Sequence, residues 1–252
     1  SAIGRWLSYF IIFLPSVMPI GGYVVFYVVS LYFAVIWGLF FYYLFSTRQV
    51  NVRTTVWTFF LTQAGVFLIF GLLHSLNFFY IFTQMAFPLS IVGYILGVGL
   101  TEEFTKMIPL FILQHRSKEP MLPQTMVYYG LMAGIAFGVF EGVQYQTTIN
   151  IHADYTTAFL LNIARLTSLP FLHATWCGIA GYFIGMAGLY PRYRKGLWFL
   201  ALVIPAVLHG LYDSFAGNFY VVSLCVAVFT VLLLMAYMRR SGKLRERLRE
   251  NG

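Results

Sequence analysis

Apolar residues run along this chain in long blocks, and the few breaks between them set the architecture. From Trp6 to Thr47 there is no charged residue, which is more than one bilayer crossing of about 20 residues can use. Pro15, Pro19, Gly21 and Gly22 interrupt that block. The short piece before them reads as an interfacial or re-entrant helix, or as a short extra span, and a full span follows over residues 23–45. Further apolar blocks cover residues 56–76, 88–113, 125–147, 158–190, 197–215 and 219–238. The pattern predicts an all-α polytopic integral membrane helix bundle of about 7–8 transmembrane helices.

Composition agrees with the pattern. Of 252 residues 60% are hydrophobic and only 10% charged, where a soluble domain carries about 25% charged residues. The mean hydropathy is +0.78. Cys177 and Cys225 lie far apart in apolar segments, so neither a disulfide framework nor a CxxC metal motif is expected. The first apolar run has one basic residue before it and no small-residue cleavage site, so no cleavable signal peptide is expected. The net charge of +8 does not point to nucleic acid, because the basic residues cluster in short loops and in the tail. Arg48 and Arg53 follow the first full span, His115, Arg116 and Lys118 the third, and Arg192, Arg194 and Lys195 the fifth. The tail RRSGKLRERLR follows the last. The alternate loops, near Asn77, in HADY at 152–155 and near Asn218, hold no Lys or Arg. By the positive-inside rule the basic loops and the C-terminus are cytoplasmic. The tail reads as a solvated flank, with binding to anionic lipid as the alternative.

The chain contains eight acidic residues, and four of them, Glu102, Glu103, Glu141 and Asp213, fall inside predicted helices. His173 and His209 join them. An ionisable side chain at membrane depth costs several kcal/mol, so it faces a protein interior or a wet cavity and is a functional candidate by default. In EEFTK, Glu102 and Lys106 are four apart and share a helix face, while Glu103 is turned about 100° away. His209 and Asp213 in HGLYD repeat the four-residue offset, as do Phe137 and Glu141 in FGVFE. Gly134, Ala136, Gly138 and Gly142 allow close helix approach, and Pro170 loosens the helix ahead of His173. Two histidines and several carboxylates in a bundle support two hydrolytic chemistries. One is a divalent metal with an open position for water. The other is a glutamate acting as base on water without metal, with His and Asp donating to the oxyanion. A buried ion-pair network and a proton or cation path are the non-hydrolytic alternatives, and spacing alone leaves all of these open.

Four motifs in order, each in its own helix, resemble the PrsW family of intramembrane proteases, which is related to the CAAX prenyl protease and bacteriocin-processing enzymes. The family signature is EExxK, then FxxxE, then a lone membrane histidine, then HxxxD; the chain has EEFTK at 102–106, FGVFE at 137–141, His173 in LHATW and HGLYD at 209–213. The similarity covers residues 93–215. It implies cleavage of membrane-associated protein substrates, for example an anti-sigma factor, in the plasma membrane of a bacterium or archaeon. By that resemblance Glu102 and Glu103 include the water-activating base, and His173 and His209 bind metal or stabilise the oxyanion. Glu141 and Asp213 are then further metal ligands or orienting groups, and Lys106 is a charge partner. The prenyl-protease relatives carry histidine where this chain has Glu141 and usually asparagine where it has Asp213. The more acidic set favours a cation, with Zn2+ as the expected ion. The chain then reads as one transmembrane domain over 1–252, with a catalytic core over about 89–215, accessory helices over 6–76 and a basic cytoplasmic tail over 239–252. A non-catalytic transporter or scaffold with a buried polar cluster is the opposing reading. Neither the substrate nor the oligomeric state is legible in the sequence.

Other polar residues have plainer readings. Arg165 is expected to snorkel to the outer interface, with binding of a substrate carboxylate or carbonyl as the alternative. His74 reads as a packed or interfacial histidine, His115 and His152 as loop residues, and Trp176, three after His173, as core filling, with packing against the site as the alternative.

Overall fold

The computed structural model describes residues 20–148, 155–217 and 219–250. The short N-terminal piece before the first proline pair, His152 and the Asn218 turn lie outside them. Seven helical passages run up and down. These are α1 (Ile20–Phe45), α2 (Val52–Leu76), α3 (Leu89–Val92 continuing through Gly93–Gly99 into Leu100–Arg116), α4 (Pro123–Thr148), α5 (Tyr155–Leu189), α6 (Arg194–Ala216) and α7 (Tyr220–Glu250). No strand occurs among the described residues. Five stretches are long and apolar enough to cross a bilayer: Val24–Phe45, Val52–Leu76, Pro123–Gln146, Pro191–Ala216 and Tyr220–Leu244. The protein is a multi-pass, all-α membrane bundle.

Helix α4 is the central post, because its glycines let neighbouring backbones close on it. A Cβ at Gly130 would strike the carbonyl of Cys177, one at Gly134 the backbone of His173 and Ala174, and one at Gly138 the backbone of Pro170. On the other side of the seam, Gly181 meets Met126 and Gly185 meets Pro123. The pair is therefore antiparallel, with His173 held against Gly134. Between apolar helices in lipid, such close contact is a main source of attraction. Helix α6 approaches α3 in the same way, with Gly99 under the Ala206 carbonyl and Gly210 over Ile95.

Two segments of π-helix were not expected from the sequence. One covers Val66–Phe70 in α2, and the other, Gly93–Gly99, immediately precedes the two glutamates. Asn77 accounts for the second. Its side-chain amide donates to the Leu96 carbonyl at 2.7 Å, the Gly97 carbonyl at 3.1 Å and Thr101 Oγ1 at 2.8 Å. Carbonyls loosened from regular helix geometry thus find a donor. The apolar side chains of α1 and α7 face outward at helical spacing, through Val28, Val35 and Leu39 on one and Leu224, Val228 and Leu232 on the other. In a bilayer that is the lipid face.

Candidate functional site: a buried cluster of two histidines, four carboxylates and a lysine

Helices α3, α4, α5 and α6 each bring polar side chains to one place inside the bundle. Lys106 is fully buried, and its Nζ lies 2.7 Å from Glu103 Oε1, 2.6 Å from His173 Nδ1 and 3.6 Å from Glu102 Oε2. The ammonium also sits 4.2 Å above the ring of Phe137. The expected pairing of Glu102 with Lys106 is thus the longer contact, and Glu103 makes the closer one. Residues three apart share a helix face as residues four apart do, and the lysine leans toward its i−3 neighbour.

Glu103 Oε1 accepts a second bond, from His209 Nδ1 at 2.8 Å. His209 Nε2 then faces Asp213 Oδ2 at 3.3 Å and Glu102 Oε2 at 3.6 Å. His173 Nε2 lies 2.5 Å from Glu141 Oε2. The two imidazoles are close, with ring centroids 5.2 Å apart. Ligand atoms of Glu102, His173 and His209 all fall within 4.8 Å of one another, as the donors of a metal site would. Glu102 and Glu103 each keep an oxygen, Oε2, buried and without a hydrogen bond.

The structure therefore gathers Glu102, Glu103, Lys106, Glu141, His173, His209 and Asp213 into one network. Trp176 belongs to its wall: the indole stacks on His209 at 4.2 Å and 13° and meets His173 edge-on at 5.4 Å. Its position three residues after His173 is the sequence signal that points there. Gln63 of α2 braces the neighbouring turn of α4 through a bond to the Ala136 carbonyl, and composition gave no sign of it. Arg165 does not simply reach outward. Its guanidinium is half-buried and lies 3.6 Å from the ring centre of Tyr145, one turn beyond Glu141. His74 is apart from the cluster, packed between Phe70 and Tyr80.

Comparison with known proteins gives a consistent result. The family model described as PrsW family intramembrane metalloprotease matches residues 29–238. The Protease PrsW of Shouchella clausii is 26% identical over 155 residues, covering 61% of this chain and 68% of that protein. The Protease PrsW of Oceanobacillus iheyensis is 28% identical over 149 residues, covering 59% of this chain and 66% of that protein. A third, from Halalkalibacterium halodurans, is 27% identical over 116 residues, or half of its own length. No solved structure matches the chain.

Proposed function

Because the chain belongs to the PrsW family of intramembrane metalloproteases, we propose that the buried cluster hydrolyses a peptide bond of membrane-associated proteins, with Glu102 as the base that activates water. The observation that carries this reading is Glu102 Oε2, a buried carboxylate oxygen without a hydrogen bond, 3.6 Å from His209 Nε2. A base needs an oxygen free to receive a proton. Glu103 also keeps an unbonded Oε2, but its other oxygen is tied to Lys106 and His209. Glu102 Oε2 makes only ion-pair contacts of 3.6 Å and is the freer of the two. Glu103 spends its Oε1 on Lys106 and His209 and acts as the group that holds them.

The donor set fits a divalent cation such as Zn2+. With Nδ1 donated to Glu103, His209 Nε2 faces the oxygens of Glu102 and Asp213. Either a proton on Nε2 or a cation between the three atoms answers the negative charge gathered there. His209 and Asp213 are the residues that would hold an ion, with Glu102 beside it left free as the base, and the carboxylate behind His209 would orient its ring. Bound there, the ion would supply Lewis-acid polarisation of water or of the scissile carbonyl. The residues do the rest. Glu102 accepts the proton of the attacking water, and Lys106 offsets the negative charge of the two glutamates. Trp176 keeps the His209 ring in plane by stacking. Residues 89–215 form the catalytic core in this reading, and the accessory helices frame it. The substrate must unwind locally to present its bond, since helical amides are already paired.

The test compares membrane-protein fragments in cells making the wild type or the Glu102→Gln/Glu103→Gln double variant at matched levels. Fragments seen only with the wild type are the expected result and would name substrates. Identical profiles, with ion flux altered by Glu102→Gln, would replace proteolysis with transport.

A further inference from the structure

Lys106 is tied to His173, and the chemistry of that contact decides what His173 can do. The purpose of that contact rests on the proteolytic reading; its geometry does not. An ammonium has three donor hydrogens and no lone pair. At 2.6 Å from Nζ, His173 Nδ1 must therefore be the acceptor, with its lone pair used. A neutral ring with an unprotonated Nδ1 carries its hydrogen on Nε2, and Nε2 lies 2.5 Å from Glu141 Oε2. If Nε2 were bare as well, two lone pairs would face each other at that distance. The two contacts close a chain from Glu103 through Lys106 and His173 to Glu141, every link a donor meeting an acceptor. It leaves His173 no lone pair for a metal. His209 is the opposite case, with Nδ1 given to a carboxylate and Nε2 turned toward the oxygens of Asp213 and Glu102, where an ion can take the place of its proton.

We infer that Lys106 is a positioning residue that fixes His173 as its Nε2–H tautomer, so that His173 serves as a hydrogen-bond donor to the reacting amide while His209 is the single imidazole available to an ion. The proximity of both rings to Glu102 is then shared by two different tasks. When the peptide bond breaks, Glu102 passes the proton it took from water to the leaving amine nitrogen, so no proton is gained or lost overall. The Nε2 proton stays on His173, since a neutral imidazole that gave it up would be left as an anion. Glu141 holds the donor hydrogen in place until substrate arrives. Phe137, against the His173 ring at 5.0 Å and beneath Lys106, keeps the lysine from turning away.

The experiment is 15N NMR of the full-length, histidine-labelled protein in lipid vesicles, with and without Zn2+, beside a cleavage assay on the same preparation. The His173 signals are assigned from their loss in His173→Asn. The expected result is a bare Nδ1 and a protonated Nε2 on His173, unchanged by Zn2+, while His209 shifts. Lys106→Arg should keep that tautomer, and Lys106→Met should release it to a mixture. A protonated Nδ1 on wild-type His173, or His173 signals that move to a metal-bound position on adding Zn2+, would overturn the inference. The wild-type spectrum decides this even if the lysine variants fail to fold. Failure to cleave any substrate would count against the proteolytic reading and would leave the tautomer result standing on its own.

Discussion

A carboxylate that accepts two charged or strongly polar donors in a dry interior cannot be neutralised without leaving those donors unpaired. Glu103 is such a group, between Lys106 and His209. Glu102 is its chain neighbour, yet its Oε2 reaches Lys106 and His209 only at 3.6 Å. The two amide variants should therefore separate activity from stability. Glu102→Gln is expected to abolish cleavage while melting close to the wild type. Glu103→Gln is expected to lose activity together with about 3–5 kcal/mol of stability, the usual cost of stranding a buried charge. Thermal unfolding in detergent beside a cleavage assay reads both, and the reverse ranking of stabilities would refute the division of roles. The sequence pointed to both glutamates because charge in an apolar run is conspicuous. It did not show which one Lys106 holds more closely, because the three- and four-residue offsets lie on the same helix face and tertiary contact with His173 selects between them. For Trp176 the three-residue spacing from His173 left packing against the site open beside core filling, because an aromatic in an apolar helix looks the same whether it faces lipid or His209.

Among the elements, the seam between α4 and α5 sets the position of His173. Gly134 is the point where the two backbones touch, and any Cβ there runs into the carbonyl of His173 and the main chain of Ala174. Gly134→Ala should force the helices apart, with a loss of about 1–3 kcal/mol as for other overpacked interiors. A larger fractional fall in cleavage should accompany it, since the imidazole moves with its backbone. Gly196→Ala, which adds a methyl where nothing lies within 4 Å, is the matched control. Equal melting temperatures for Gly134→Ala and Gly196→Ala would show that the contact is not as close as described. The small residues of this seam were visible in the sequence as GIAFG, and so was their likeness to a close helix contact. The π-helical segment before Glu102 was not, because its cause is distant: Asn77, in the preceding turn, supplies the hydrogen bonds that a regular helix would have found within itself.

For the molecule as a whole, the apolar blocks were enough to place seven helical passages, since a bilayer leaves little freedom in how a charge-free run of that length can fold. Most of their ends in the structure differ from the expected ones by a few residues, by extension into polar flanks such as Val52–Thr55 and Arg194–Gly196, but α7 runs on through most of the expected tail to Glu250. Packing sorts the connections by end. Thr47 bonds Thr125 at 2.7 Å, Gln49 accepts from the Leu122 amide at 3.0 Å, and Gln114 lies against Gly188. A cavity of about 700 Å³ at that end is lined by His115, Lys118 and Arg194. The opposite end brings Phe87 to Phe215. The basic residues thus collect at one end, which the positive-inside rule would turn to the cytoplasm together with the tail. We therefore expect Lys118→Cys to react with an impermeant thiol reagent only after the membrane is opened, and Gln84→Cys to react in intact cells. Both positions are exposed, and both variants belong in a Cys225→Ser background, because Cys225 is exposed and Cys177 is buried. Labelling of both from the same side would break the alternation of passages on which the shared depth of Glu102, Glu141, His173 and His209 depends. Labelling of Lys118→Cys alone in intact cells would instead invert the molecule, placing the lysine-rich end outside and the substrate's approach with it.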